Sequence, residues 1–280
     1  MLRPHGRAVK AGGHPQTVIE IIRRVWRWRR LVWELARRDF KARYAGSALG
    51  VAWAVLEPLV QFGLYLTVFS VFLGMRLEGR ADMGSFGVYI ISGLVPFLAF
   101  QEAITRATGL ARERAQLVRH VNVPLEAILT GALVAVFLRH SVALALVLAA
   151  SLAWGLFTVT GVPWLLAGAV VLVVGVFGLA LGLVVAGAYL PDLSQVMGTA
   201  TTVLFFLTPI VYPATAVPRR VVSLLVFNPI WGVVRSFRVA LMGDPPQWVS
   251  FLVAGACAVC LLALGAIVFE ARHRRVPDLA

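Results

Sequence analysis

The stretch 38–58, RDFKARYAGSALGVAWAVLEP, constrains this chain more than any other. It begins as a cationic run, passes through Gly46 and Gly50, and becomes apolar. From Ala48 to Met75 the only charge is Glu57. A helix rises about 1.5 Å per residue, so this segment is ample for a hydrocarbon core of about 30 Å. Everything before the junction is cationic, and nearly everything after it reads as membrane. With 60% hydrophobic and 14% charged residues and a mean hydropathy of +0.85, the whole chain agrees. Soluble domains carry about 25% charge.

The net charge of +13 raises the question of nucleic acid. The cations, however, cluster beside apolar segments rather than on a soluble domain, which is the pattern of the positive-inside rule. No nucleic-acid partner is expected. Cys257 and Cys260 lie one turn apart in an apolar run, with no second pair and no nearby histidine. They read as small packing residues rather than metal ligands. The first 47 residues hold no apolar core followed by a cleavage site, so the first span is expected to act as its own insertion signal.

In chain order, residues 1–17 read as a flexible tail rich in Gly and Pro. Residues 18–46 read as one amphipathic helix, with Val18, Ile21, Ile22, Val25, Val32, Leu35 and Phe40 on its apolar side. Arginines fill the remainder, interleaved with Trp26, Trp28 and Trp33, as in helices that lie in the membrane interface. A domain over 47–270 follows, with six spans expected at about 49–74, 86–105, 124–152, 164–188, 196–216 and 248–269. Residues 271–280 form a basic tail. Nineteen of the 26 Lys and Arg residues fall in the N-terminal region, the loop 106–122 and this tail. Both termini are therefore expected to be cytoplasmic.

Four further features stand out. The loop LARERAQLVRHVNVP is a charged amphipathic segment carrying Leu110, Arg112, Glu113, Arg114, Arg119 and Asn122. It reads either as an interfacial tether or as a docking helix for a cytoplasmic partner. Residues 217–247 are apolar yet broken by Pro218, Asn228–Pro229, Gly243 and Pro245–Pro246. Broken helices at membrane depth are tolerated only inside protein or along a cavity, so a pair of short re-entrant helices is expected on the outer side. Arg139 lies within the third span and is expected to face the interior, with Glu57 or Glu102 as partner, while His140 is expected to point elsewhere. Gly178 and Gly182 form a GxxxG, read as packing within one subunit.

Two rows mix aromatics with polar groups. Trp53, Glu57, Gln61, Tyr65 and Phe69 recur every four residues along the first span, and Thr201, Phe205, Thr208 and Tyr212 share one face of the fifth. They are expected either to join helices of one subunit or to wall a channel at a dimer interface. Rings and hydroxyls suit a sliding sugar. Catalytic signatures are absent. Lys10 follows Val9 and Lys41 follows Phe40, so neither can be the lysine of a nucleotide-binding P-loop, which needs Gly before it.

Arg43-Tyr44, Ser47, Leu49-Gly50, Trp53 and Pro58 together resemble the entry to the first span of ABC-2-type permeases, in the branch that exports polysaccharides, O-antigens and teichoic acids. The resemblance continues through Gly93-Leu94-Val95-Pro96, Asn122, Pro124 and Glu126. It recurs at Asp192, at Pro209, Tyr212 and Pro213, and at Asn228-Pro229 followed by Arg235 and Arg238. It covers roughly residues 34–246; Glu57 and Pro191 depart from the pattern. The resemblance implies an all-α integral membrane protein of the bacterial cytoplasmic membrane, a homodimer of six-span subunits with two copies of a separate ATPase. ATP and Mg²⁺ would bind that ATPase, and this chain would hold no cofactor. A lipid-linked glycan would pass between the subunits, with docking at Leu110–Asn122 and an outer gate at 217–247. The same architecture exporting a small drug or lipid is the alternative, and a stand-alone channel a more distant one.

Overall fold

The computed structural model describes residues 16–77, 79, 82–114 and 123–273, and among these the regular elements are helical. Most of the two predicted tails, and the loop residues 115–122, lie outside the described residues. Two amphipathic helices come first, α1 (Gln16–Arg27) and α2 (Arg29–Tyr44). The sequence predicts one helix here, but the chain leaves helical geometry at Trp28, with φ −95° and ψ 13°. The break lets each apolar stripe find its own support, with Ile21 of α1 and both Val32 and Ala36 of α2 buried. Trp26 and Trp33 stay exposed on the outside of the pair. Gly46 and Gly50, at φ 80° and 52°, then turn the chain upward into the first span. Only glycine takes that left-handed geometry without a penalty.

The first span runs from Gly50 to Phe72 as a 3₁₀ turn, α3 (Trp53–Leu66) and a π turn (Thr67–Phe72). The other long elements are α4 (Met83–Glu113), α5 (Leu125–Ala153), α6 (Val162–Tyr189) and α10 (Trp248–Arg272). Between α6 and α10 lie α7 (Leu193–Leu207), α8 (Arg219–Leu225) and α9 (Pro229–Met242). Five segments among the described residues are long and apolar enough to cross a membrane, so this is a multi-pass membrane protein.

The predicted span 196–216 is shorter than expected. Helix α7 has 15 residues, about 22 Å by its rise, and ends at Thr208 in extended geometry, φ −105° and ψ 127°. The cause is Pro209, whose ring pushes the preceding residue out of the α region. The chain then runs without α-helix to α8.

Helix α4 is the most enclosed span and packs against α5, α6, α7 and α9, whereas α3 is the least enclosed. Helices α6 and α10 make the most extensive pair. A Cβ on Gly265 would lie 1.8 Å from the Gly178 carbonyl oxygen, so the backbones touch where both residues are glycine. The GxxxG glycine Gly178 thus serves packing within the chain.

One end of the bundle carries α1, α2, the end of α4, the start of α5 and the end of α10. There Arg24 of α1 bridges Glu126 of α5, at 2.6 Å, and Glu270 of α10. Burial lowers the Arg24 pKa, but the Glu270 and Glu126 carboxylates outweigh it and hold the guanidinium above its ordinary value. The opposite end is closed by α9. Added Cβ atoms on its Gly232 and on Gly161, before α6, would strike Ser250 and Ala240 backbone, and Ser151 donates to the Leu241 carbonyl at 2.7 Å. These contacts lie at the ends of α10, α6 and α5, so α9 lies across them as a plug.

Candidate functional site

A charged network sits where α2 meets α3, α4 and α5. Arg43, in the last turn of α2, places one terminal nitrogen 2.9 Å from the Glu57 carboxylate of α3 and the other 3.6 Å from that of Glu102 on α4. Arg139 of α5 pairs with the same Glu102 oxygen, and His140 Nε2 lies 3.1 Å from its second oxygen. The sequence places Arg139 in the interior with Glu102 as one candidate partner, and this is its position. His140 corrects the expectation that it points elsewhere. Successive helical residues diverge by only 100°, and Glu102 lies between their two directions, offering one oxygen to each.

Helix α5 is 29 residues long, about 43 Å, and extends past a hydrocarbon core. Its midpoint, at Arg139, is level with the last turn of α2, since Arg43 there faces the same Glu102 oxygen. Burial lowers the Arg43 pKa, but the Glu57 hydrogen bond and the charges of Glu57 and Glu102 exceed that effect and raise it above the ordinary value. A cavity of about 60 Å³ lies beside these groups, lined also by Gln61, Phe62 and Tyr44.

A second ion-pair group was not foreseen. Asp39, one turn before Arg43, receives Arg106 of α4 at 3.0 Å and Arg114, just past the end of α4, at 2.5 Å. The segment expected as a docking helix is therefore partly the last turn of α4. Leu110 is buried, Arg112 donates to the Leu190 and Pro191 carbonyls at 3.3 and 2.9 Å, and Glu113 closes the helix. This corrects the picture of a free amphipathic helix beginning at 110: these residues are held because α4 continues through them. Arg119 and Asn122 lie outside the described residues.

The two aromatic rows meet each other inside the chain. Tyr65 stacks along Phe69 with centroids 6.2 Å apart and faces Phe205 at 6.4 Å, and Phe205 also meets Phe97 of α4 at 5.2 Å. Thr201 is 2% exposed and accepts from Gln101 at 3.2 Å. Thr208 is fully buried and accepts from Asn228 at 2.9 Å. The Tyr212 carbonyl accepts from the Tyr89 hydroxyl at 3.1 Å. For Thr201 and Thr208 the channel-wall expectation is corrected: they join helices of one chain. The open side of α7 mixes the exposed Gln195, Thr199 and Thr202 with Val203, which is 53% exposed, Phe206 and Leu207. The exposed Thr199 and Thr202 hydroxyls donate to carbonyls of their own helix, those of Gln195 and Gly198, at 3.1 and 2.9 Å. Along the first span, Trp53 and Glu57 are exposed, and Gln61, Tyr65 and Phe69 half-buried.

At the plugged end Arg238 of α9 is fully buried, and its guanidinium lies 3.5 Å from the Tyr89 ring centroid. It donates to the carbonyls of Pro209, Ile210 and Tyr89 at 3.2, 3.2 and 3.3 Å. Ending α7 at Pro209 leaves carbonyls without helical donors, and a guanidinium satisfies several at once. Gly93 makes room for it: a Cβ there would sit 3.0 Å from Arg238 Nη2. Arg235 pairs with Asp244 at 3.1 Å and reaches the Pro245 carbonyl. Asn228 caps α9, accepting from the Ile230 and Trp231 amides, and Pro229 takes the first turn. Pro218 is exposed before α8. Arg238, one of the residues expected at an outer gate, is held inside the chain as a clamp on three carbonyls.

The residue pattern of the ABC-2 type transporter family matches positions 30–242. The O-antigen export system permease protein RfbA of Myxococcus xanthus is 26% identical over 266 residues, covering 93% of this chain and 99% of that protein. The polysialic acid transport protein KpsM of Escherichia coli is 26% identical over 238 residues, covering 84% and 91%. An RfbA of Klebsiella pneumoniae is 21% identical over 249 residues, covering 88% and 93%. The match begins at α2 and ends with α9, taking in the charged network and the Arg238 clamp, and the chain belongs to the ABC-2 type transporter family.

Proposed function

We propose that this chain is the membrane subunit of an ATP-driven exporter that moves a lipid-linked polysaccharide, of O-antigen or teichoic-acid kind, outward across a bacterial cytoplasmic membrane. The observation that carries this reading is the alignment with an O-antigen export permease over 93% of this chain and 99% of that protein. Family membership and the multi-pass bundle agree with it. With no P-loop in the sequence, hydrolysis falls to a separate ATPase, two copies serving a homodimer. The ATPase docks at the α4–α5 connection, on the same side as α1 and the end of α10. Arginine density supports a cytoplasmic position for that side, with the α9 plug then facing outward. Helix α3, the least enclosed span, presents Trp53, Glu57 and Gln61 toward the path between subunits.

The test is deletion of the gene, followed by antibody labelling of surface glycan and extraction of lipid-linked glycan from the cells. The expected result is loss at the surface with intracellular accumulation, both reversed by the intact gene. Unchanged surface glycan, or lost efflux of a small drug instead, overturns the reading.

A further inference from the structure

The turn after α9 carries chemistry that neither the charged network nor the Arg238 clamp uses. Gly243, at φ 67°, reverses the chain in left-handed geometry, and the Asp244 amide donates back to the Arg238 carbonyl at 3.3 Å. Asp244 is thereby returned to the side of Arg235, one of whose terminal nitrogens meets its carboxylate at 3.1 Å. The other donates to the Pro245 carbonyl, also at 3.1 Å. Trp231, Arg235 and Met242 fall on one face of α9 by helical spacing. Against that face stand Tyr89 of α4, Leu77 and residues 213–215, and between them lies a cavity of about 390 Å³. That is within the range of about 300–1,000 Å³ usual for small-ligand pockets. A single chain supplies these walls, so the pocket does not depend on a second copy.

The charges of this pocket are of both signs. Among the described residues, Arg235 and Asp244 are the charged groups that line it, with side chains 14% and 24% exposed. Each terminal nitrogen of a guanidinium carries two hydrogens and each carboxylate oxygen accepts more than one bond, so the pair keeps donors and acceptors to spare. Thr215 adds a hydroxyl. Trp231 and Tyr89 supply aromatic wall, and the Tyr89 hydroxyl is spent on the Tyr212 carbonyl. An anion entering here meets Asp244, a cation meets Arg235, and a purely apolar molecule strands both. A neutral ring with apolar C–H faces and a rim of hydroxyls, each both donor and acceptor, satisfies the pair and the aromatic wall together. We propose that this pocket binds a neutral pyranose unit, its hydroxyls on Arg235, Asp244 and Thr215 and a C–H face toward Trp231. The inference rests on the exporter reading only for the view that this unit belongs to the cargo, held at the plugged end as it leaves.

The experiment is saturation-transfer NMR on the full chain in phosphatidylcholine nanodiscs. The probes are the methyl glycosides of glucose, galactose, mannose and rhamnose, with glucuronate as the anionic comparison. Neither ATPase nor ATP is present, so a failed export assay leaves this result standing, and failed binding here leaves the export reading standing. At least one methyl glycoside is expected to be saturated beyond the level given by empty nanodiscs, with glucuronate bound at least about tenfold more weakly. Asp244→Asn should weaken the glycoside about tenfold and admit glucuronate, because Arg235 then stands without its counter-charge. An ion pair that served folding alone would produce no such change of charge preference. Ala214→Trp, on the segment facing α9, fills the cavity and should abolish binding, which keeps the proposal testable should the Asp244 variant misfold. Absence of saturation for every methyl glycoside, glucuronate bound as well as they are, or binding unchanged by both substitutions overturns the proposal.

Discussion

Glu102 is the hinge of the charged network, and Glu102→Gln is its sharpest test. The substitution keeps the shape and one acceptor but removes the charge that Arg139, His140 and the more distant Arg43 face. Arg139 is 12% exposed and Glu102 29%. Breaking a fully buried pair costs about 3–5 kcal/mol, because one charge is left uncompensated. The partial exposure of Glu102 and the retained amide oxygen reduce this, so about 2 kcal/mol is expected, roughly a thirtyfold shift in the folding equilibrium. Replacing both members, Glu102→Leu with Arg139→Leu, removes the charges together and should recover most of the loss. The assay is reversible unfolding in mixed micelles with increasing denaturing detergent, read by tryptophan fluorescence and assembled as a double-mutant cycle. Wild-type stability in Glu102→Gln, or a double variant no better than Arg139→Leu alone, would refute the reasoning.

Arg238→Lys should destabilise by about 2–4 kcal/mol, since one ammonium cannot reproduce the fork on three carbonyls and a ring; a thermal midpoint equal to wild type in micelles counts against the clamp. In a variant lacking Cys257 and Cys260, cysteines at Thr201 and Thr208 should stay inert to a water-soluble thiol reagent, whereas one at the exposed Glu57 should react. Rapid labelling at both threonines would return them to the channel wall. Gly265→Val should separate α6 from α10 and cost about 2 kcal/mol or more, because its Cβ would lie 1.8 Å from the Gly178 oxygen. Unchanged unfolding of this variant would show that the two helices do not approach so closely.

Chemistry that depends on residues near in sequence was legible before the structure. The interfacial character of α1 and α2 follows from arginines and tryptophans set against an apolar stripe. The break at Asn228–Pro229 follows from the missing amide and restricted geometry of proline, and the same rule applied at Pro209 would have shortened the span expected over 196–216. Asp39 could have been singled out by the same logic, as an acid standing between Arg38 and Lys41 in a run of cations. Nothing local, however, says that its partners are Arg106 and Arg114.

The sequence by itself determined that this chain enters a bilayer, because apolar length and charge position are additive along it. It also determined that Arg139 needs an interior partner, since a lone charge against lipid is costly. Only the tertiary structure decided the pairing. Glu102 serves Arg139, His140 and Arg43 because α2 crosses beside α4 and α5 at that level, and no helical period encodes a crossing. The same holds for α7: a row of residues defines a face, but which way the face turns depends on its neighbours. Thr201 and Thr208 turn inward because Gln101 and Asn228 complete their hydrogen bonds there, and acyl chains could not.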